Sequence, residues 1–499
     1  MKRVFFGILA LTLAAVLLLS GCTEKTGAPQ IGSSDASSVV QNNSQQQDTA
    51  QTSSTDVSSL PDSSVGGTQS QGQLPIKPPS STSSKPSGNV SGASSTNSQN
   101  SSQTQNTSST VKPNSSVVTT PDVAPNVTAV QAKDYVLYNQ LSAKQKQAYT
   151  AILNAATALD RSECFLVGNN LTSRDASVAL NAVRGDYPQL FWLPNVYGIL
   201  KQGNSVYLAF YDAAGGANGK PVYDYGVKDA AELAAMQKKI NDKVKSAVNA
   251  VIKNGMTPYQ MELALHDWLC DNMTYDTTPT ADEHSWDVYG ALVNGSGVCE
   301  AYTKAFQLLL YTVGINNRPI YGTSKSATPE AHVWNLVKID GSWYHTDVTW
   351  NDVKINKLNY IHFYFNQTQA VFEKTHVLQT VLSDASDNAV TSGQFNFAYP
   401  TATATAANYY RMSGTYIDQE SAFKTKVLAA FQGVTADTTL EFYYAPDETF
   451  TDAELGVLMQ KYSVTAALQK QNKLSRCLYG AMRDSEQRSF PFFFIRLYN

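Results

Sequence analysis

The feature that most limits what this 499-residue chain can fold into is a long stretch without aromatic residues, between Phe6 and Tyr135. From Thr23 to about residue 128 the chain is mainly Ser, Thr, Gln, Asn, Gly and Pro, with scattered small apolar residues. Such a segment cannot bury enough apolar surface to offset the entropy lost on ordering, so the sequence predicts disorder here. Folded structure is therefore expected from about residue 130.

The first residues have the features of a targeting segment. Lys2 and Arg3 precede an apolar run from Val4 to Leu19, which is shorter than the roughly 20 residues needed to span a bilayer. The run ends in Leu19-Ser20-Gly21-Cys22, which resembles the bacterial lipobox and implies cleavage before Cys22 and acylation of its sulfur. The alternatives are an ordinary secretory signal with an incidental cysteine, or an uncleaved anchor.

On the lipobox interpretation, residues 1–21 are a signal peptide and residues 22–128 a tether that carries the folded part away from the membrane. A flexible chain of this length has an end-to-end distance of about 50–60 Å. We therefore expect an extracytoplasmic protein whose membrane contact is the lipid anchor at Cys22.

Composition excludes several classes of function. The formal charge is −4 and the pI about 5.9, and no long basic block is present, which argues against a nucleic-acid partner. The five cysteines form neither a CxxC motif nor a Cys/His pair at zinc spacing, so we expect no metal site and no cofactor. Cys164 and Cys270 have the surroundings of small buried residues, and disulfide pairing stays open.

The folded part divides into three predicted regions. Residues 129–227 are expected to form a small α+β domain that includes a hairpin of Val206–Tyr211 with Val222–Tyr225. Residues 228–382 form the central domain, which opens with a helix near 228–253 and a second helix capped by Thr257. Residues 383–499 are expected to form an α/β accessory domain with strands at 409–417, 439–444 and 492–497.

A glycine-rich loop before Cys299 carries the first chemical signal. Gly295-Ser296-Gly297-Val298 leads into Cys299, and apolar residues then recur at helical spacing until Gly314. Cys299 is thus predicted at a helix N-terminus, where the helix dipole favours a thiolate nucleophile. An unreactive buried cysteine that opens an ordinary helix is the alternative.

The segment from Ala331 to Trp350 carries the second signal. Asp340-Gly341 is a strong two-residue hairpin turn, which pairs Ile339 with Ser342. If the pairing continues, His332 faces Thr349 and becomes a diagonal neighbour of Asp347 on one face, within reach of a His–Asp hydrogen bond. The spacing therefore predicts an imidazole oriented by a carboxylate. A surface hairpin without catalytic function is the alternative.

Four ordered blocks together resemble the transglutaminase-like superfamily: Gly297–Tyr302, Ala331–Asn335, Asp340–Tyr344 and Asp347–Trp350. The resemblance covers roughly residues 228–380. It implies an α+β, papain-like core in which a helix-borne Cys299 packs on an antiparallel sheet that carries His332 and Asp347 as a catalytic triad. The family's side-chain oxyanion donor has no single counterpart here, and Tyr275 and Trp286 are the candidates.

The other histidines have weaker signals. His345 falls on the same hairpin face as Asp347 and is a neighbour or an alternative base. His266 is expected to be a packed histidine and His284 to lie on a solvated loop. No pattern surrounds His362 or His376.

Two functions from different classes follow. The first is acyl transfer at amide bonds of peptides or proteins, with cell-wall peptide as one candidate substrate, resolved by an amine or by water. The second is a catalytically silent module that binds cell-wall or surface polymers. Sequence leaves the substrate and the oligomeric state open.

If residues 22–128 are a disordered tether, a non-specific protease should remove them before it cuts the folded part. Limited proteolysis followed by mass spectrometry should yield a stable core that begins near residue 130. Survival of this segment under conditions that nick the core would contradict the prediction.

Overall fold

The computed structural model describes residues 137–160, 164–193, 196–211, 227–279, 284–326, 329–354, 357–378, 397–483 and 489–499. The predicted signal peptide, Cys22 and the tether lie outside the described residues. The three predicted domain boundaries also stay predictions. Among the described residues, no helix has both the length and the apolar character that crossing a bilayer requires.

The N-terminal region places two helices against a three-stranded antiparallel sheet in the order β1-β3-β2. Each helix begins with a capping box, at Ser142 and at Thr172, which satisfies exposed amides of the first turn. The elements are α1 (Ala143–Ala158), β1 (Phe165–Asn169), α2 (Ser173–Asp186), β2 (Val196–Gln202) and β3 (Ser205–Tyr211).

The predicted hairpin in this region is different in the structure. Strand β3 pairs with β2 on one side and with β1 on the other. The turn between β2 and β3 contains Gly203, whose φ of +58° is a conformation that favours glycine. The segment Val222–Tyr225, predicted as the second strand, lies outside the described residues.

The central region matches its predicted helices closely. Asp229 caps α3 through the amides of Ala231 and Glu232, and Thr257 caps α4 in a capping box with Gln260. The elements are α3 (Ala230–Val251), α4 (Pro258–Asn272), β4 (Thr274–Tyr275), a π-helical turn (Gly290–Asn294), β5 (Ser296–Gly297), α5 (Cys299–Thr312), β6 (Asn317–Ser324), β7 (Ala331–Ile339), β8 (Ser342–Thr346), α6 (Val348–Asn351), α7 (Gln369–Phe372) and β9 (His376–Leu378).

A four-stranded antiparallel sheet in the order β8-β7-β6-β9 forms the base of this region. Helix α5 packs on β7, and its buried residues Phe306 and Leu310 belong to the same hydrophobic core as Val337 and Ile339 of β7. The predicted α+β class, with a cysteine-bearing helix on an antiparallel sheet, is confirmed.

The hairpin register is right near the turn and wrong at the far end. Ile339 pairs with Ser342, as predicted, and the ladder continues to Asn335 and Thr346. It stops there because Asp347 leaves the strand and caps the short helix α6 through its side chain. The predicted pairing of His332 with Thr349 is therefore wrong, and His332 instead faces Gly322 on β6.

The C-terminal region is a four-stranded sheet in the order β10-β11-β13-β12 with helices beside it. Its elements are α8 (Tyr409–Met412), β10 (Tyr416–Ile417), α9 (Phe423–Ala430), β11 (Thr438–Tyr444), α10 (Asp452–Lys461), α11 (Val464–Asn472), β12 (Arg476–Arg483) and β13 (Ser489–Tyr498). The predicted strands at 439–444 and 492–497 are confirmed. The strand predicted at 409–417 is wrong over most of its length, because Asn408 caps a helical turn there.

A buried ion-pair cluster joins the C-terminal sheet to the central region. The ring of His362 lies between Glu441 of β11, with Nδ1 to Oε1 at 2.8 Å, and Asp267 of α4, with Nε2 to Oδ1 at 3.0 Å. Burial by itself lowers the pKa of His362, but the charge of Glu441 and the hydrogen bonds to Asp267 and Glu441 outweigh burial and raise the pKa to about 9. The imidazolium therefore persists at neutral pH and holds both carboxylates.

This cluster predicts a pH-dependent contribution to stability. Folding raises the pKa of His362 from about 6.5 to about 9, so protonated His362 stabilises the fold. This stabilisation is fully present below pH 6.5 and is lost as pH rises through about 9. His362→Asn should lower the free energy of unfolding by up to about 3 kcal/mol at pH 6, measured by urea titration. The difference from the wild type should shrink by pH 10, and an equal difference at both pH values would contradict the ion-pair role.

Candidate active site

The loop before Cys299 is shaped by a strand pairing and a glycine. Strand β5 runs parallel to β4, with Tyr275 paired to Gly297, and the Val298 amide donates to the carbonyl of Ser285 at 2.8 Å. A Cβ on Gly297 would lie 2.5 Å from the Cβ of Ala301 and 2.9 Å from the Ser285 oxygen. Only glycine allows the loop to enter α5 at this angle.

Cys299 occupies the first position of α5, as predicted. No side chain caps this helix, so the amides of the first turn face the region around the sulfur and favour an anion there. Cys299 is 1% exposed.

Three hydrogen bonds, made one turn into α5, fix the helix of Cys299 relative to His332 and Asp347. Thr303 Oγ1 donates to the carbonyl of Val333, next to His332, at 3.0 Å, and Asn335 Nδ2 donates to the Thr303 carbonyl at 3.1 Å. Tyr302 donates to Asp352, which follows α6, at 2.5 Å. The N-terminal end of α5 is thereby held beside the strand of His332 and the turn of Asp347.

The predicted hydrogen bond between His332 and Asp347 is present. His332 Nε2 and Asp347 Oδ2 are 2.6 Å apart, and both side chains are almost fully buried. The other carboxylate oxygen, Oδ1, accepts from the Trp350 amide at 3.1 Å. Because Asp347 binds Nε2, Nδ1 is the ring nitrogen left for exchanging a proton with a sulfur atom.

Charge and hydrogen bonding keep Asp347 ionised despite its burial. Burial alone raises the pKa of this carboxyl, but the charge of His332 and hydrogen bonds from His332 and His376 outweigh it and hold the pKa well below its usual range. An ionised carboxylate beside an imidazole fixes the tautomer of the ring and stabilises its protonated form. This is the electrostatic requirement for a histidine that acts as a base.

Aromatic rings enclose the His332–Asp347 pair. The Trp350 ring stacks on the His332 ring with centroids 4.9 Å apart, and Trp334 stacks at 5.9 Å. These rings keep water from competing for the carboxylate, which strengthens the hydrogen bond. The third tryptophan of the hairpin segment, Trp343, does not enclose the pair. Its ring lies under the Arg318 guanidinium, with the guanidinium carbon 4.4 Å from the ring centroid.

His376 is a site residue that sequence reasoning missed. Its Nε2 lies 3.1 Å from Asp347 Oδ2, the same oxygen that His332 contacts. It follows Asp347 by 29 residues and sits on a three-residue strand, so neither spacing nor periodicity signalled it. His362 was missed for the same reason.

The remaining predicted histidines have different positions. His345 accepts a hydrogen bond from Trp334 Nε1 at 3.0 Å, and burial lowers its pKa to about 3, so it is neither bonded to Asp347 nor suited to act as a base near pH 7. His266 is packed and buried, as predicted. His284 lies on a turn, as predicted, but its side chain is partly buried, bonds Asp287 at 2.8 Å and packs against Phe191.

Both candidate oxyanion donors lie next to the Cys299 loop. Tyr275 is paired with Gly297, and Trp286 follows the residue whose carbonyl accepts from Val298. Burial, together with the charges of Glu330 and Asp347, raises the pKa of Tyr275. Its phenol therefore stays protonated and can donate a hydrogen bond at neutral pH.

Two groups in the described residues place three metal-ligating atoms within 4.8 Å of one another: His332 with Asp347 and His376, and His266 with Asp267 and His362. In both groups each histidine contacts the carboxylate at hydrogen-bond distance, between 2.6 and 3.1 Å. Hydrogen bonding accounts for both arrangements.

Comparison with known families agrees with this geometry. The profile of the transglutaminase-like superfamily matches residues 245–348, which include Cys299, His332 and Asp347. The chain contains a transglutaminase-like domain. The matched segment runs from the middle of α3 to the start of α6, so the profile ends just after Asp347 and does not reach His376.

Solved structures similar to this chain include a TGase, with 14% identity, a TM-score of 0.22 and coverage of 40% of this chain and 52% of that one. A candidate cysteine protease from Cytophaga hutchinsonii has 18% identity, a TM-score of 0.19 and coverage of 31% and 61%. A candidate protease from Parabacteroides distasonis has 11% identity, a TM-score of 0.18 and coverage of 30% and 35%.

The chain therefore spans about half of the TGase and about three fifths of the Cytophaga hutchinsonii protein. No curated protein matches the sequence significantly.

The loop geometry of the transglutaminase-like domain predicts the effect of a small substitution. Gly297→Ala should lower the free energy of unfolding by about 1–3 kcal/mol and slow alkylation of Cys299, because backbone and helix atoms that cannot move aside surround the new Cβ. Urea titration and peptide mass spectrometry measure the two effects.

Gly456→Ala is the matched control. Gly456 lies inside α10 with no heavy atom within 4 Å of an added Cβ, so alanine there should be neutral or slightly stabilising. Equal effects of the two substitutions would show that the Gly297 loop has no special packing requirement.

Proposed function

We propose that this protein is an extracytoplasmic, lipid-anchored cysteine acyltransferase or peptidase that acts on amide bonds of peptides or proteins. Cys299 is the nucleophile, His332 the base and then the acid, and Asp347 the group that orients His332. Attachment through Cys22 and exposed peptides, including cell-wall peptide, as substrates are parts of the same proposal.

The observation that carries the proposal is the buried 2.6 Å contact between His332 Nε2 and Asp347 Oδ2, on the strand against which the Cys299 helix is fastened. A histidine oriented by an ionised carboxylate next to a helix-borne cysteine is the arrangement that cysteine acyl transfer requires. The superfamily match over residues 245–348 supports the same class of chemistry.

The reaction follows from these positions. His332 first takes the proton of the Cys299 thiol. The thiolate then attacks the carbonyl carbon of an amide, and the first-turn amides of α5 stabilise the oxyanion. Protonated His332 gives its proton to the leaving nitrogen as the carbon–nitrogen bond breaks, which leaves a thioester on Cys299. His332 then takes a proton from water or from an amine, the new nucleophile attacks the thioester carbon, and the sulfur is released.

The burial of Cys299 bears on how the site is used. Because the Cys299 residue is 1% exposed, water is excluded from around its sulfur, and a substrate reaches the sulfur only when neighbouring groups move. Exclusion of water favours an amine over water as acyl acceptor. Primary amines therefore belong in the first substrate screen beside simple hydrolysis.

The first test is the pH dependence of Cys299 alkylation in the full chain, after treatment with a thiol reductant, read by peptide mass spectrometry. Cys299 should react faster than Cys270 and should keep reacting below the free-thiol pKa of about 8.5, because a thiolate–imidazolium pair persists there. Cys270 is a matched control, since it is also buried, at 5% exposed.

Asp347→Asn should remove the rapid reaction below pH 7, because an amide does not stabilise protonated His332. Equal rates at Cys299 and Cys270 over the whole pH range would overturn the enzymatic proposal and favour a binding module. If Cys299 is labelled rapidly, the next experiment incubates the protein with a glutamine peptide and a fluorescent primary amine. Fluorescence on the peptide indicates amine transfer, and its absence with release of ammonia indicates hydrolysis.

A further inference from the structure

The Asp347 carboxylate has a partner that the proposed reaction does not use. His376 Nε2 lies 3.1 Å from Oδ2, and His332 Nε2 lies 2.6 Å from the same oxygen. One carboxylate oxygen thus receives two imidazole nitrogens, while Oδ1 receives the Trp350 amide. His376 is 1% exposed, so this contact is as protected from water as the His332 contact.

A glycine on the neighbouring strand, Gly322, allows His376 to approach Asp347. Strand β9 pairs with β6, with His376 opposite Ser324 and Leu378 opposite Gly322. A Cβ on Gly322 would lie 2.3 Å from the Val377 carbonyl oxygen and 2.6 Å from the Trp334 ring. The absence of a side chain lets β9 and Trp334 approach β6 together, which brings His376 over Asp347.

The hydrogen bonds of His376 define its tautomer. Burial lowers the pKa of His376 to about 4, although the hydrogen bond and charge of Asp347 act in the opposite direction, so the ring is neutral at pH 7. Its Nδ1 lies 2.9 Å from the Thr375 hydroxyl. Because the ionised carboxylate of Asp347 only accepts hydrogen bonds, the proton of the neutral ring is on Nε2 and is donated to Asp347.

The surroundings of His376 contain few other groups that titrate near neutral pH. Its titratable partners are Asp347 and His332, with His345 beyond the Trp334 ring. The ring faces are covered by Phe372 and Trp350, each with its centroid 4.2 Å away, and Tyr364 lies edge-on at 5.4 Å. The polar partners of His376 are thus the Thr375 hydroxyl, the Phe372 carbonyl and Asp347, and of these only Asp347 is charged.

We propose that His376 is a positioning residue of the Cys299–His332–Asp347 site: its Nε2–H fixes Asp347 Oδ2 in the place where His332 meets it and helps to keep the carboxylate ionised. The inference rests on the proposed function. Removing this donor leaves Asp347 with one fewer hydrogen bond to its charged form, which makes protonation easier and lets the carboxylate rotate.

A metal ion held by the same three atoms is the competing explanation. Zinc bonds of about 2.0–2.2 Å in a tetrahedral site separate neighbouring ligand atoms by roughly 3.3 Å. The contacts of 2.6 and 3.1 Å to the shared oxygen are shorter and match hydrogen bonds. The experiment nevertheless includes a chelator, so that no bound metal contributes to the measured rates.

The test compares His376→Phe with His376→Gln in the reduced full chain with EDTA present. Phenylalanine keeps the aromatic packing and removes the donor, whereas the glutamine amide can still donate from about the position of Nε2. His376→Phe should slow Cys299 alkylation at pH 5 about tenfold and move the acid limb of the pH–rate profile up by about one pH unit. His376→Gln should recover most of the rate.

Two further variants separate positioning from packing. His345→Phe changes a buried histidine that also stacks on Phe372 but does not contact Asp347, and it should leave the acid limb where it is. In an Asp347→Asn background, His376→Phe should have little additional effect, because the group on which it acts has been removed.

The outcomes distinguish this inference from the proposed function. Rapid low-pH labelling of Cys299 that is the same in the wild type and His376→Phe would overturn the positioning role and leave the enzymatic proposal standing. An equal shift in His345→Phe, or full additivity with Asp347→Asn, would also overturn the positioning role. Slow labelling of Cys299 in the wild type would overturn both.

Discussion

The arrangement of the candidate site depends on one buried carboxylate, that of Asp347. Its backbone ends β8, its Oδ1 caps α6, and its Oδ2 meets both His332 and His376. An unpaired charge at this depth would be strongly destabilising. The three donors offset that cost only in one geometry, so the strand end, the helix cap and the histidine positions are fixed together.

The regions around Asp347 extend the same constraint outward. Asn351, four residues later, contacts His266 Nε2 at 3.0 Å and accepts from the Tyr364 amide at 2.9 Å. His266 in turn bonds Asp267, which pairs with His362 and through it reaches Glu441. A continuous chain of polar contacts thus links the turn of Asp347 to the C-terminal sheet. The C-terminal sheet therefore helps to hold the turn of Asp347 in place.

Local sequence signals predicted the parts of the site whose geometry is set within one or two elements. The Thr257 cap, the helix that begins at Cys299 and the Asp340-Gly341 turn all follow from short-range backbone preferences. That turn also brings the end of β8, and with it Asp347, beside the strand of His332. The same reasoning failed where the chain left regular structure. The Oδ1 atom of Asp347 caps helix α6, so the pairing of β7 with β8 ends before Asp347. The predicted pairing of His332 with Thr349 is wrong for this reason.

The sequence by itself determined the fold class, the helix position of Cys299 and the pairing of His332 with Asp347, because hydrophobic period, capping and turn chemistry act over a few residues. Only the tertiary structure decided which of the other histidines join the site. His376 and His362 reach their carboxylates across 29 and 95 residues of chain, and a contact at that separation is set by how strands and loops pack. Close approach at Gly322 brings His376 to Asp347, whereas His345, nearer in sequence, accepts its hydrogen bond from Trp334 instead.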